Sequence, residues 1–84
     1  MPDRLIRAAD AFGTAAQALR DFAQVLRDAR STAGTAVRMV ERSTPETAAA
    51  DRQSADALLA RATAEVDAAG RLAAERLARA QADA

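Results

Sequence analysis

Leu5, Phe12, Leu19, Leu26, Ala33 and Val40 recur at an unbroken seven-residue interval, and no other feature of the chain constrains its fold as strongly. Seven residues make two turns of a helix, so such a repeat keeps one set of side chains on one face for its whole length. With these six at heptad position a, position d holds Ala8, Ala15, Phe22, Ala29 and Ala36. The a/d stripe therefore stays apolar for five heptads, and both aromatic residues lie on it.

The rest of the heptad sets the width of that face. Position f holds Asp10, Gln17, Gln24, Ser31 and Arg38, and position c holds Arg7, Thr14, Asp21, Asp28, Thr35 and Arg42, so the far side is polar. Positions e and g are mostly apolar: Ala9, Ala16, Ala23 and Val37 at e, and Ala11, Ala18, Val25 and Met39 at g. A single partner helix covers an a/d stripe, whereas an apolar a, d, e and g face is too wide for one, so this helix is expected to contact at least two others. Alanine at e and g is also good helix filler, but Val25 and Val37 are β-branched and lower helix propensity, which speaks for packing. Gly13 and Gly34 both fall at b, off the stripe. The run Ser31-Thr32-Ala33-Gly34-Thr35 is the weakest helical stretch, yet Val37 and Val40 keep register beyond it, so the helix is read as continuous.

Ser43-Thr44-Pro45-Glu46 ends this helix, because a residue before proline avoids the α region. The same residues can start another, with Thr44 as N-cap, Pro45 at N1 and Glu46 next to the positive end of the dipole. The expected organisation is one all-α unit, 1–84: helix 1 over about 3–42, a turn at 43–45, and helix 2 over about 45–82. So short a link folds helix 2 back as an antiparallel hairpin with arms of about 60 Å. Helix 2 has only five large apolar residues, Leu58, Leu59, Val66, Leu72 and Leu77. The rows Leu59, Val66, Ala73, Ala80 and Ala55, Ala62, Ala69 give it a narrow stripe of small residues. Asp67, Arg71, Glu75, Arg79 and Asp83 form a ladder of alternating charge at i,i+4 spacing, read as a solvated face. Residues 47–57 offer nothing apolar larger than alanine opposite Val37, Met39 and Val40, so the tip either frays or packs on a second chain.

Composition narrows the function. Of 42 residues counted hydrophobic, 26 are alanine, leaving 16 large apolar side chains to offset the ordering of 84 residues. Each contributes roughly 1.5–3 kcal/mol if buried, against about 1–2 kcal/mol of backbone entropy per residue, so a lone monomer is marginal. The 12 basic residues, all arginine, are interleaved with 12 acidic ones. A nucleic-acid binder needs a basic excess or cluster, and there is none. With no cysteine or histidine, disulfides, thiolate chemistry and the usual zinc ligands drop out, and no cofactor or metal is expected. Carboxylates such as Asp51 and Asp56 lack the concave, water-excluding site that acid–base catalysis requires, so the chain is not read as an enzyme. Acids at Asp10, Asp21, Asp28 and Glu41 oppose binding of helix 1 to an anionic membrane. The amino terminus has no run of signal-peptide length, which points to a cytoplasmic protein or one secreted without a cleaved signal.

The run Ala18-Leu19-Arg20-Asp21-Phe22-Ala23-Gln24-Val25-Leu26-Arg27-Asp28-Ala29-Arg30 resembles the helical amino-terminal regions of large actinobacterial polymorphic toxins, placed among type VII secretion substrates. Thr47-Ala48-Ala49-Ala50-Asp51-Arg52 and Leu58-Leu59-Ala60-Arg61-Ala62 extend the resemblance to about two thirds of the chain. Two equal helical arms about a central turn are also similar to WXG-type secreted proteins, hairpins that pair into four-helix dimers. The chain departs from that family in having Ser43-Thr44-Pro45 where Trp-x-Gly would stand, and no tyrosine for a Tyr-x-x-x-Asp/Glu export signal. The resemblance implies a non-enzymatic partner or targeting factor for a secreted toxin-like effector, or a piece of such an effector, without the export signal itself. The alternative is a structural homo-oligomer. Either way the expected partner is another helical protein or a second copy, joined in a four-helix bundle. The expected core is Leu5, Phe12, Leu19, Phe22, Leu26, Val37 and Val40, with Val25 and Met39 on the flank facing the partner.

Overall fold

The structure, a computed structural model, describes residues 2–83, and side chains from Asp3 to Asp83. Two helices account for almost all of them: α1, Pro2–Glu41, and α2, Ala48–Asp83. They lie side by side as an antiparallel hairpin about 70 Å long and 15 Å wide. Asp3 in the first turn of α1 and Arg38 in the last complement the helix dipole. α1 runs unbroken through Gly34, with Thr35 Oγ1 donating back to the Ser31 carbonyl at 3.2 Å, and no described residue has a positive φ.

The end of α1 tightens, as Arg42 N–H bonds the Arg38 carbonyl at 3.0 Å and Ser43 N–H the Val40 carbonyl at 3.2 Å. Regular helix then resumes at Ala48 rather than at the expected Pro45. The intervening residues form a closed turn instead. Thr47 N–H reaches the Thr44 carbonyl at 3.1 Å, and Thr47 Oγ1 accepts the Thr44 N–H at 3.1 Å. Proline contributes no N–H, so the two threonines satisfy the turn's backbone between them before the i→i+4 ladder starts with Asp51 N–H on the Thr47 carbonyl at 2.9 Å.

Every fully buried residue among those described is an alanine: Ala18, Ala36, Ala55, Ala62, Ala73 and Ala80. On α1, the residues turned toward α2 are Ala11, Ala15, Ala18, Phe22, Val25, Ala29, Thr32, Ala36 and Met39, which are positions d and g. This corrects the a/d assignment for the seam within the chain. The seam is made mostly of alanines at d and g on α1 and of Ala55, Ala62, Ala69, Ala73 and Ala80 on α2, with Phe22, Val25, Met39, Leu58, Val66 and Leu77 half-buried among them. On α2 it is Leu58, not Leu59, that turns inward beside Val66 and Leu77. The inward residues of α2 repeat every eleven (Ala55, Val66, Leu77; Leu58, Ala69, Ala80), close to the natural period of a straight helix.

Candidate functional site

The d/g seam leaves row a, flanked by row e, outside the hairpin. Leu5 is 73% exposed, Phe12 77%, Leu19 54%, Leu26 43%, Val37 53% and Val40 46%. Together with Ala9, Ala16, Ala23 and Ala33 they form a second heptad stripe along α1, interrupted by one polar residue, Arg30. α1 thus carries two stripes: an inner one, mostly alanine with Phe22, Val25 and Met39, packed on α2, and an outer one of large residues that α2 covers only in part.

The outer stripe continues onto α2. Leu26, Ala29, Arg30 and Ala33 share an open groove of ≈ 440 Å³ with Leu59, Ala62, Thr63, Val66 and Asp67. Toward the open end of the hairpin, Phe12 sits with Ala8, Ala11, Ala80 and Gln81. One broad face of the hairpin is therefore apolar along its length, with Leu59 at 40% exposure adding to it from α2.

The opposite face carries Leu72, 54% exposed beside Val25 and Arg76; the rest of it, and the outer edge of α1 that holds Arg20 and Arg27, is polar and internally tied. Asp21 accepts from Arg76 Nη1 of α2 at 2.7 Å and from Gln17 Nε2 at 2.7 Å, while Arg20 donates to Gln17 Oε1 at 2.9 Å. One heptad later Gln24 donates to Asp28 at 2.9 Å and Arg27 to Gln24 at 2.8 Å. The repeat Gln-x-x-Arg-Asp at 17–21 and 24–28 is the sequence signal for this network, and heptad position alone does not show it. The bond from Arg76, and then that from Gln17, holds the Asp21 carboxyl below the usual carboxylate range. The charge ladder expected from Asp67 to Asp83 makes no ion pair within 4 Å among the described residues; its side chains stand in solvent.

Of the nine residues expected at an interface, Leu5, Phe12, Leu19, Leu26, Val37 and Val40 share the outer stripe. Phe22, Val25 and Met39 are half-buried on the inner side. Phe22 lays its ring against Gly70, where an added Cβ would stand 3.7 Å from the ring edge. Val25 adjoins Ala69, Leu72, Ala73 and Arg76 of α2, so it does not face outward as expected. Sequence reasoning missed Leu59, which it had assigned to the seam of helix 2.

Among the described residues no cluster of His, Cys, Asp or Glu is placed to hold a metal ion, and no helix is long and apolar enough to cross a membrane. Compared with known proteins, the chain matches no family, no curated protein and no solved structure.

Proposed function

We propose that this chain is a non-enzymatic protein-interaction module that presents the outer stripe of α1 to another helical surface, closing a four-helix bundle. The observation that carries this reading is the division of labour along α1: alanines hold the hairpin together, while Leu5, Phe12, Leu19, Leu26, Val37 and Val40 stand exposed in one line. A stripe of large residues serves no purpose in the hairpin itself, and covering it offsets the entropy that leaves a lone hairpin marginal. The occupant implied by the resemblance at residues 18–30 is the helical region of a secreted toxin-like effector, for which the chain acts as partner or targeting factor.

The experiment is calorimetric titration of the wild-type chain and of Leu26→Asp against the recombinant helical amino-terminal region of a polymorphic toxin of the type VII secretion class. Wild type should bind and the variant, still helical by circular dichroism, should not. Equal binding by both would refute the outer stripe as the docking surface. A second reading, a structural homo-oligomer, is favoured by one specific observation, the distribution of charge along the two edges of the apolar face.

A further inference from the structure

Resting on the docking reading above in its second, homo-oligomeric form, we infer that the occupant of the apolar face is a second copy of this chain, stacked face to face with both hairpin turns at the same end, so that α1 of each copy lies over α2 of the other. Charge and area carry the inference.

The edge of the face along α1 is basic. Arg30 lines the central groove, and Arg20 and Arg27, a heptad apart, sit one position outward of the stripe. Arg20 and Arg27 each hydrogen-bond a glutamine, and neither they nor Arg30 has a carboxylate within 4 Å among the described residues. The edge along α2 is acidic. Asp67 lines the same groove, and Asp56 lies eleven residues earlier, three turns along the same side. Near the turn the signs invert on both edges, with Glu41 on α1 and Arg52 on α2.

Two identical faces can meet with their helices aligned in two ways. With the turns at opposite ends, α1 meets α1 and the arginines of one copy face those of the other, with no acid between them. With the turns together, α1 meets α2 of the other copy. Arg27 then approaches Asp67, and Glu41 approaches Arg52, and symmetry supplies each pairing twice. A foreign partner would need to reproduce this pattern, including its inversion at the turn, whereas a second copy already carries it. The area allows it: the 70 × 15 Å outline of the hairpin bounds the face at roughly 1,000 Å² per chain, above the ~800 Å² per partner of a stable interface.

The test combines mass, distance and charge reversal on the full chain. Light scattering should give twice 8.8 kDa. Because the sequence has no cysteine, Glu46→Cys carries a single spin label at the turn. Turns together place the two labels within about 30 Å, given helices packed 8–10 Å apart, whereas turns opposed place them near the 70 Å length of the hairpin. Arg27→Asp should weaken the dimer about tenfold, and adding Asp67→Arg should restore it. A long label distance, or tightening by Arg27→Asp, would overturn the arrangement. A monomer at all concentrations would overturn the second copy as occupant. If that monomer binds a helical effector region and Leu26→Asp abolishes the binding, the docking reading survives; if Leu26→Asp changes nothing, that reading falls too.

Discussion

Truncating Phe12 separates the two stripes of α1, because the ring is the largest side chain on the outer one and contributes almost nothing to the hairpin. It is 77% exposed, so about a quarter of its surface is covered by Ala8, Ala11, Ala80 and Gln81. Full burial of a phenylalanine is worth about 1.5–3 kcal/mol, so Phe12→Ala removes about 0.5 kcal/mol of contact within the chain. Alanine's higher helix propensity returns a similar amount, and the net effect on hairpin stability is near zero. Covering the remaining three quarters on association is worth about 1–2 kcal/mol per chain, or about 2–4 kcal/mol in a dimer where the ring is buried twice. The dissociation constant should therefore rise between about 30-fold and about 1,000-fold. Sedimentation velocity reads the constant directly, and thermal melts by circular dichroism over a dilution series read the hairpin. The variant should match wild type in the dilute limit and fall below it as concentration rises. A melting midpoint lowered equally at every concentration, with no change in mass, would show that Phe12 belongs to the intrachain core and would refute the two-stripe account.

Other substitutions probe the seam and the polar face. Gly70→Ala should stabilise the hairpin by about 1 kcal/mol, since its Cβ meets the Phe22 ring at an ordinary 3.7 Å and helix propensity improves; a lower melting temperature would show that the close approach there is obligatory. Ala18→Leu, at a position 1% exposed, should cost about 1–3 kcal/mol by forcing the helices apart, and a neutral result in a denaturant titration would mean that the alanine seam is not tightly packed. Asp21 has a carboxyl pKa lowered in the folded state by Arg76 and Gln17, so its contribution is present above the usual carboxylate range and is lost as pH falls through the lowered value. Melting temperatures of wild type and Asp21→Asn should therefore differ at neutral pH and converge in strong acid; a gap that persists in acid would assign the effect to something other than the ionised carboxylate.

The hairpin itself was legible in residues. The seven-residue interval from Leu5 to Val40 specified one long helix, its register across Gly34 specified continuity, and Pro45 marked the reversal. The width of the apolar face was legible too, because Val37 and the alanines of e and g extend it beyond the a/d stripe. Which part of that face met α2 was not. Rows a, d, e and g share one period, and choosing between a/d and d/g by side-chain size favours the larger residues, since burial free energy grows with area. The hairpin of 40- and 36-residue helices instead packs α2 on rows d and g, with Ala18 and Ala36 at their most buried points. The Asp21–Arg76 bond was out of reach for a different reason: it depends on antiparallel register between residues 55 apart, which the pattern of neither helix encodes.

The central claim, that the outer stripe of α1 is covered by another helical surface, is tested most directly by the solvent accessibility of its side chains in the assembled protein. Paramagnetic relaxation by a soluble probe, read at the Phe12 ring and at the methyl groups of Leu5, Leu19 and Leu26, reports this residue by residue. In concentrated protein these groups should be shielded as well as Ala18 and Ala62 of the seam, and the shielding should vanish on dilution or on Leu26→Asp. Groups that relax as exposed surface in the concentrated wild-type protein, and stay so when a helical effector region is added, would contradict it.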